Sequence, residues 1–229
     1  MCMLQFRLLF DTIENHDYVA IKLSPSFPKY TPGEDIDIFC RDIESFSRKV
    51  IAFLSQYVVD DFSIKVHKLH NKFHIDLIDK SSIHFRFDLI GEQPQYKNIR
   101  IKKSFFDVVI EGAHKKNISG FEVKVPSDVD ECILRYIEYI EWFEQRPDKI
   151  KHINYINTLI NVNVLDANKI FERLYYFTSI PEKEYRPKTF FEKISEHYEF
   201  VIDVVKNSLS LIKKDGFLIF LSKVVKRFK

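Results

Sequence analysis

Residues 33–39 read GEDIDIF. The stretch follows a loop rich in proline and serine, SPSFPKYTPGE (24–34), and runs into apolar residues, so DIDIFCR (35–41) reads as a β-strand. In a strand, residues i and i+2 share a face about 6.5–7 Å apart. Asp35 and Asp37 therefore project together, while Ile36 and Ile38 face the opposite way, toward a core. Two carboxylates on one face repel each other unless a cation offsets them.

The flanking sequence builds an α+β body around this strand. MCMLQFRLLFDTIENHD (1–17) has an apolar stripe broken by Arg7 and Asp11, which reads as an amphipathic helix rather than a signal peptide. YVAIKLS (18–24) is β-rich. DIESFSRKVIAFLSQY (42–57) has helical spacing at Ile43, Phe46, Val50, Phe53, Leu54 and Tyr57, with Asp42 as N-cap. DFSIKVHKL (61–69), FHIDLI (73–78) and IHFRFDLI (83–90), joined by short turns, form an antiparallel meander. In the last of these Ile83, Phe85, Phe87 and Leu89 face one side; His84, Arg86, Asp88 and Ile90 face the other. Strands are also expected at FFDVVIE (105–111) and FEVKV (121–125).

From Pro126 the pattern turns helical. SDVDECILRYIEYIEWFEQ (127–145) opens with Ser127 as N-cap and Asp130 three residues on, a start like a capping box. Helical periods continue in RPDKIKHINYINTLINV, DANKIFERLYYFTSI and KTFFEKISEHYEFVIDVVKNSLSLIKK. The expected organisation is an α+β domain over 1–125 with a mixed or antiparallel sheet, a helical region over 126–212, and a basic amphipathic helix over 213–229.

Composition narrows the function classes. The 229 residues are 45% hydrophobic with 22 Phe and 5 Gly, enough for a sizeable core and too apolar for disorder. Cys2, Cys40 and Cys132 are scattered and odd in number, which argues against a disulfide framework or a structural zinc site and fits a reducing cytoplasm. No HExxH, P-loop, GxGxxG or GxSxG motif occurs. The longest apolar run, FLIFL, is far short of a membrane span. The net charge of +2 hides an asymmetry: residues 213–229 hold six Lys or Arg against Asp215 alone, leaving a mildly acidic body, an unfavourable surface for nucleic acid.

Magnesium suits the Asp35–Asp37 pair, because it prefers oxygen ligands, takes one or two carboxylates and completes its shell with water and phosphate oxygens. A third carboxylate from a neighbouring strand would support in-line phosphoryl displacement. Asp88, on the polar face of IHFRFDLI, is the candidate. Acids of this kind also occur as solvated edges and turn ligands, and Asp42, Asp60, Asp61, Asp76 and Asp79 are read that way.

The order of strand, serine-containing loop, DIDIF, helix and a later strand bearing FDL resembles the polymerase-beta-like nucleotidyltransferase superfamily, especially its small bacterial members. The likeness covers about residues 18–90. It implies that Asp35 and Asp37 bind Mg²⁺, that Asp88 is the third carboxylate and helps activate an acceptor hydroxyl, and that Ser24 and Ser26 contact nucleotide phosphate. One departure stands out: the family's Gly-Ser pair is replaced by LSPSF, where Pro25 has no N–H to donate.

Arg86 shares the face of Asp88, where it would contact phosphate or hold that aspartate in a bidentate pair. His84 reads as a bystander. Arg146, Lys149, Lys151 and His152 cluster at a helix start; Lys149 is taken as a nucleotide contact, although such clusters are more often solvated helix faces. In KKDGFLIFLSKVVKRFK (213–229), Phe217, Leu221, Val224 and Phe228 make an apolar stripe flanked by lysines, which suits an anionic membrane surface or packing on the body. It resembles the basic C-terminal helices of bacterial enzymes that build lipid-linked glycans.

The expected function is Mg²⁺-dependent transfer of a nucleotidyl or phosphoryl group from a nucleoside triphosphate to a small or glycan acceptor. Its expected setting is cell-surface polysaccharide assembly at the inner membrane face. The alternative is a non-catalytic binding or scaffold subunit of the same fold. A toxin-type nucleotidyltransferase acting on protein or RNA fits the acidic body less well.

Overall fold

The computed structural model describes residues 4–24, 26–58, 62–161 and 165–180. The expected final helices, including the basic segment 213–229, lie outside them. The described residues form an α+β fold built on a mixed five-stranded sheet. Its strands are β1 (Tyr18–Lys22), β2 (Glu34–Cys40), β3 (Phe62–Leu69), β4 (Lys72–Asp79) and β5 (Ser82–Ile90), in the order β1-β2-β5-β4-β3. All neighbours pair antiparallel except β2 and β5, which run parallel. The meander β3-β4-β5 is as the alternating pattern predicts.

Helices α1 (Phe6–Ile13) and α2 (Ile43–Ser55) cover one face. In α1, Phe6, Leu9, Phe10 and Ile13 fall at helical spacing and are all buried. The α2 helix starts where Asp42 accepts a hydrogen bond from the Ser45 amide at 2.9 Å, and it buries Phe46, Val50, Phe53 and Leu54. These side chains meet Ile36, Ile38, Ile75, Phe85, Phe87 and Leu89 of the sheet. A hairpin of β6 (His114–Ile118) and β7 (Phe121–Val125) adds Phe121, Val123 and Val125 to the same core.

The opposite face carries α3 (Ser104–Glu111), α4 (Asp128–Trp142), α5 (Ile150–Asn161) and α6 (Ala167–Phe177), with a 3-10 turn at Pro147–Lys149 before α5. Their core takes in Val19, Phe39 and Ile90 from the sheet with Phe105, Ile133, Ile137, Ile156 and Leu174 from the helices. The described helices after 126 therefore share a core with the sheet, in one compact unit.

FFDVVIE, expected as a strand, is helix α3. Its β-branched and aromatic residues favour strand locally. Phe105, Phe106, Val109 and Ile110 nevertheless make one helical face that packs on Phe39 and Phe177, with ring centroids 5.0 and 5.1 Å apart. Tertiary burial outweighs propensity there. The hairpin strand β6, with four of its five residues exposed, has no apolar signal and escaped the pattern.

Before β2 the chain turns at Gly33, whose φ of +92° is costly for any side chain. Its amide bonds the His84 carbonyl at 3.2 Å, fastening the loop to β5. Phe87 is fully buried between α1, α2 and the sheet. Phe87→Ala should lower unfolding free energy by about 3–5 kcal/mol in urea denaturation; a loss under about 1 kcal/mol would mean this face is not packed as described.

Candidate functional site

The parallel register of β2 and β5 sets Asp35 opposite Arg86 and Asp37 opposite Asp88. Register partners point to one face, so the three predicted carboxylates and Arg86 come together on the helix-covered side that also holds Phe39 and Ile90. Extending the register gives two charged rows across the sheet. One runs Lys22, Asp37, Asp88, His74; the other runs Asp35, Arg86, Asp76.

In the first row, Lys22 Nζ lies 3.5 Å from Asp37 Oδ2. His74 Nδ1 contacts Asp88 Oδ1 at 2.5 Å, and Lys72 Nζ lies 3.5 Å from Asp88 Oδ2. In the second row, Arg86 donates two hydrogen bonds to Asp76, at 2.6 and 2.8 Å. Arg86 thus holds Asp76 rather than Asp88, whose Oδ1 is 4.0 Å from its Nε. Asp76 is no solvated edge residue: it is 2% exposed, and the bidentate pair is what permits its burial. Asp42 is the helix cap described above. His84 is no bystander either. Its Nε2 is 2.9 Å from the Tyr30 hydroxyl, and its ring packs edge-on against Phe62.

Asp35 is exposed at the rim. Asp37 lies deeper, and burial pushes its carboxyl up to about 6, with Asp35, Asp88 and Glu138 adding to the rise and Lys22 opposing it. Asp35 and Asp37 are the oxygen donors that would hold a hard cation. Among the described residues, no group of three or more His, Cys, Asp or Glu is arranged to hold a metal. Asp88 is accordingly a carboxylate engaged by His74 and Lys72 beside that pair.

Ser24 leaves β1 two residues after Lys22, at the sheet end where Asp35 lies. The Ser24 and Ser26 hydroxyls bond each other at 2.9 Å. Lys149 is not on a solvated face: it is 6% exposed and forms an ion pair with Glu138 of α4. His152, also expected on that face, is 1% exposed, with Nε2 3.3 Å from Glu138. Arg146 and Lys151 remain exposed. Glu138 in turn contacts Lys22 at 3.1 and 3.3 Å, which links Lys149 to Asp37 through two intermediates.

Lys22, Glu138, His74 and Asp76 escaped the sequence reading. Glu138 alone had a signal, since it lies four residues after Leu134 and one after Ile137, on the arc that α4 buries. Burial alone would raise the Glu138 carboxyl, but His152, Lys22 and Lys149 outweigh it and hold the group well below the usual carboxylate range. Tyr96, from the segment after β5, feels both Glu138 and Asp37; burial first, then these charges, pushes its phenol up.

No family model matches the chain, and no curated protein or solved structure does either.

Two stability tests follow from the charges. The folded chain keeps a proton on Asp37 that the unfolded chain releases between pH 3.8 and about 6. Ionised Asp37 therefore subtracts stability above pH 6, and the deficit vanishes below the unfolded value. Asp37→Asn should be more stable than the parent by about 1–3 kcal/mol at pH 8, with the gap closing by about pH 4 in thermal melts. A gap independent of pH would refute the assignment. Glu138→Ala, which strands the buried Lys149 and leaves Lys22 only Asp37, should cost about 3–5 kcal/mol by urea denaturation.

Proposed function

We propose that this chain is a Mg²⁺-dependent nucleotidyltransferase-like protein that transfers a nucleotidyl or related phosphoryl group to a small or glycan acceptor. The observation that carries the reading is the in-register convergence of Asp35, Asp37 and Asp88 on one face of adjacent parallel strands. Burial chiefly raises the Asp37 carboxyl, and the neighbouring Asp35, Asp88 and Glu138 add to the rise against the opposing Lys22.

Asp35 and Asp37 are the residues that would hold the metal and steer the triphosphate. The bound ion would supply charge neutralisation on phosphate oxygens as the leaving group departs. Asp88, in contact with His74 and Lys72, would accept a proton from the acceptor hydroxyl. Ser24 and Ser26 donate to phosphate. Arg86 orders the row through Asp76, and Lys149 keeps Glu138 charged so that Lys22 stays beside Asp37. The setting is glycan assembly on the cytoplasmic face of a membrane, reached through the basic segment 213–229. Among the described residues no helix is long and apolar enough to cross a membrane.

A second reading, a non-catalytic scaffold of the same fold, draws on a specific observation. Lys22 already sits beside Asp37, and Lys72 beside Asp88, which also contacts His74, an arrangement that a resting structural site also reaches. The absence of the Gly-Ser pair points the same way.

A thermal-shift screen of the four nucleoside triphosphates and common nucleotide sugars separates the two. The enzyme reading expects a rise in melting temperature that requires Mg²⁺ and is lost in Asp35→Ala and Asp37→Ala. A well-folded parent that responds to no nucleotide, or variants that respond as the parent does, would sink it in favour of the scaffold.

A further inference from the structure

The charged row that runs from Lys22 through Asp37 and Asp88 ends on an imidazole, that of His74 in β4. The antiparallel register sets His74 directly opposite Asp88, and its Nδ1 lies 2.5 Å from Asp88 Oδ1. An ionised carboxylate only accepts hydrogen bonds, so Nδ1 carries the proton and donates it. In the neutral ring the lone pair is then on Nε2.

The two nitrogens differ in what surrounds them. Nε2 has no hydrogen-bond partner among the described residues, and it is not one of the polar atoms sealed from solvent. The His74 side chain as a whole is 22% exposed. Asp88, by contrast, is buried and surrounded. Its Oδ1 is taken up by His74, its Oδ2 faces Lys72 Nζ at 3.5 Å, and Arg86 Nε stands 4.0 Å from Oδ1. A hydroxyl could reach that carboxylate only by displacing a neighbour, whereas it meets Nε2 directly from solvent.

The position of His74 in the sheet also suits a second substrate. Only β5 separates β4 from β2, so His74 and Asp37 are about 9–10 Å apart, backbone to backbone. Beyond His74 lies the edge strand β3, where His67 continues the row and is exposed. A donor phosphate over Asp35 and Asp37 would leave the β3–β4 side open for the acceptor.

We propose that His74 is the general base of the transfer and that Asp88 orients it. The proposal rests on the transferase reading and moves the proton from Asp88 to the ring that Asp88 holds. The acceptor oxygen bonds to the transferred phosphorus as the bond from phosphorus to the departing pyrophosphate breaks. The hydroxyl proton passes to Nε2, and the Asp88 carboxylate stabilises the imidazolium that results. The ring then releases that proton to solvent.

Labelling of the full chain with diethyl pyrocarbonate, which acylates unprotonated imidazole nitrogens, tests the dyad without any substrate. Read by peptide mass spectrometry, His74 should react several-fold faster than His67, although it is the less exposed of the two. Asp88→Asn should slow His74 and leave His67 unchanged. Labelling of His74 no faster than that of His67, or indifference to Asp88→Asn, would overturn the proposal. Turnover is the second readout: pyrophosphate release from the four nucleoside triphosphates with Mg²⁺, with water, glycerol and glucose as acceptors. His74→Asn keeps a donor for Asp88, so it should retain the KM for nucleotide and the nucleotide-dependent rise in melting temperature. Its kcat should fall about 10²–10⁴-fold, and added imidazole should restore part of the loss in His74→Ala. A parent that responds to no nucleotide sinks the transferase reading, and the base assignment falls with it. A responding parent whose His74→Asn variant keeps its kcat sinks the base assignment alone. Where nucleotide binds without pyrophosphate release, the labelling result decides.

Discussion

The site depends on one pairing, the parallel ladder between β2 and β5. In that register every second residue of both strands meets the α1–α2 core, and the residues between them meet the helices of the other face. A slip by one residue would turn Asp35 and Asp37 into the α1–α2 core and move Ile36 and Ile38 to the charged face. Desolvating two carboxylates costs far more than such a ladder returns, so the apolar packing that fixes the fold also fixes which acids stand together. Hydrophobic burial sets the geometry, and the charges follow.

The charges, once placed, must be balanced locally. The rows alternate imperfectly, because Asp37 and Asp88 are neighbours of like sign. Lys22 at one end and His74 at the other bound the pair, and Lys22 is itself shared with Glu138. Glu138 brings α4, the 3-10 turn and α5 into the same electrostatic unit through Lys149 and His152. The helices behind the sheet thereby take part in setting the state of Asp37, even though they touch no predicted ligand directly. Deleting Glu138 takes the counter-charge from Lys149 and half of it from Lys22, whereas neutralising Asp37 relieves chiefly the cost of burying a charge. The two changes therefore have opposite signs.

Much of this was legible in the chain itself. The alternation in IHFRFDLI and the Asp-x-Asp of β2 placed Asp35, Asp37, Arg86 and Asp88 on polar faces, and period-two patterning carries that information without a partner strand. The caps Asp42 and Ser127 were equally local, each a short polar side chain bonding an amide three residues on. What stayed hidden was pairwise. Arg86 went to Asp76 because β4 lies beside β5 on that side, which depends on strand order rather than on residue type. Lys149 read as a nucleotide contact or a solvated charge because its partner Glu138 stands on another helix. The α3 segment deceived because Phe, Val and Ile favour strands in isolation, while only contact with Phe39 and Phe177 selects the helix.

The outer strand β3 carries a further consequence. It closes the sheet at the edge away from β1, and beyond its first residues most of its side chains, Val66 and Leu69 among them, stand in solvent. Among the described residues no strand pairs with its outer row of amides and carbonyls, and such an edge invites another extended segment to add on. Lys65 and Lys68 interrupt the exposed aliphatic residues, so any strand that docked there would have to strip water from ammonium groups or bring its own acids. Charged side chains on an edge strand of this kind oppose edge-to-edge pairing between copies of a chain.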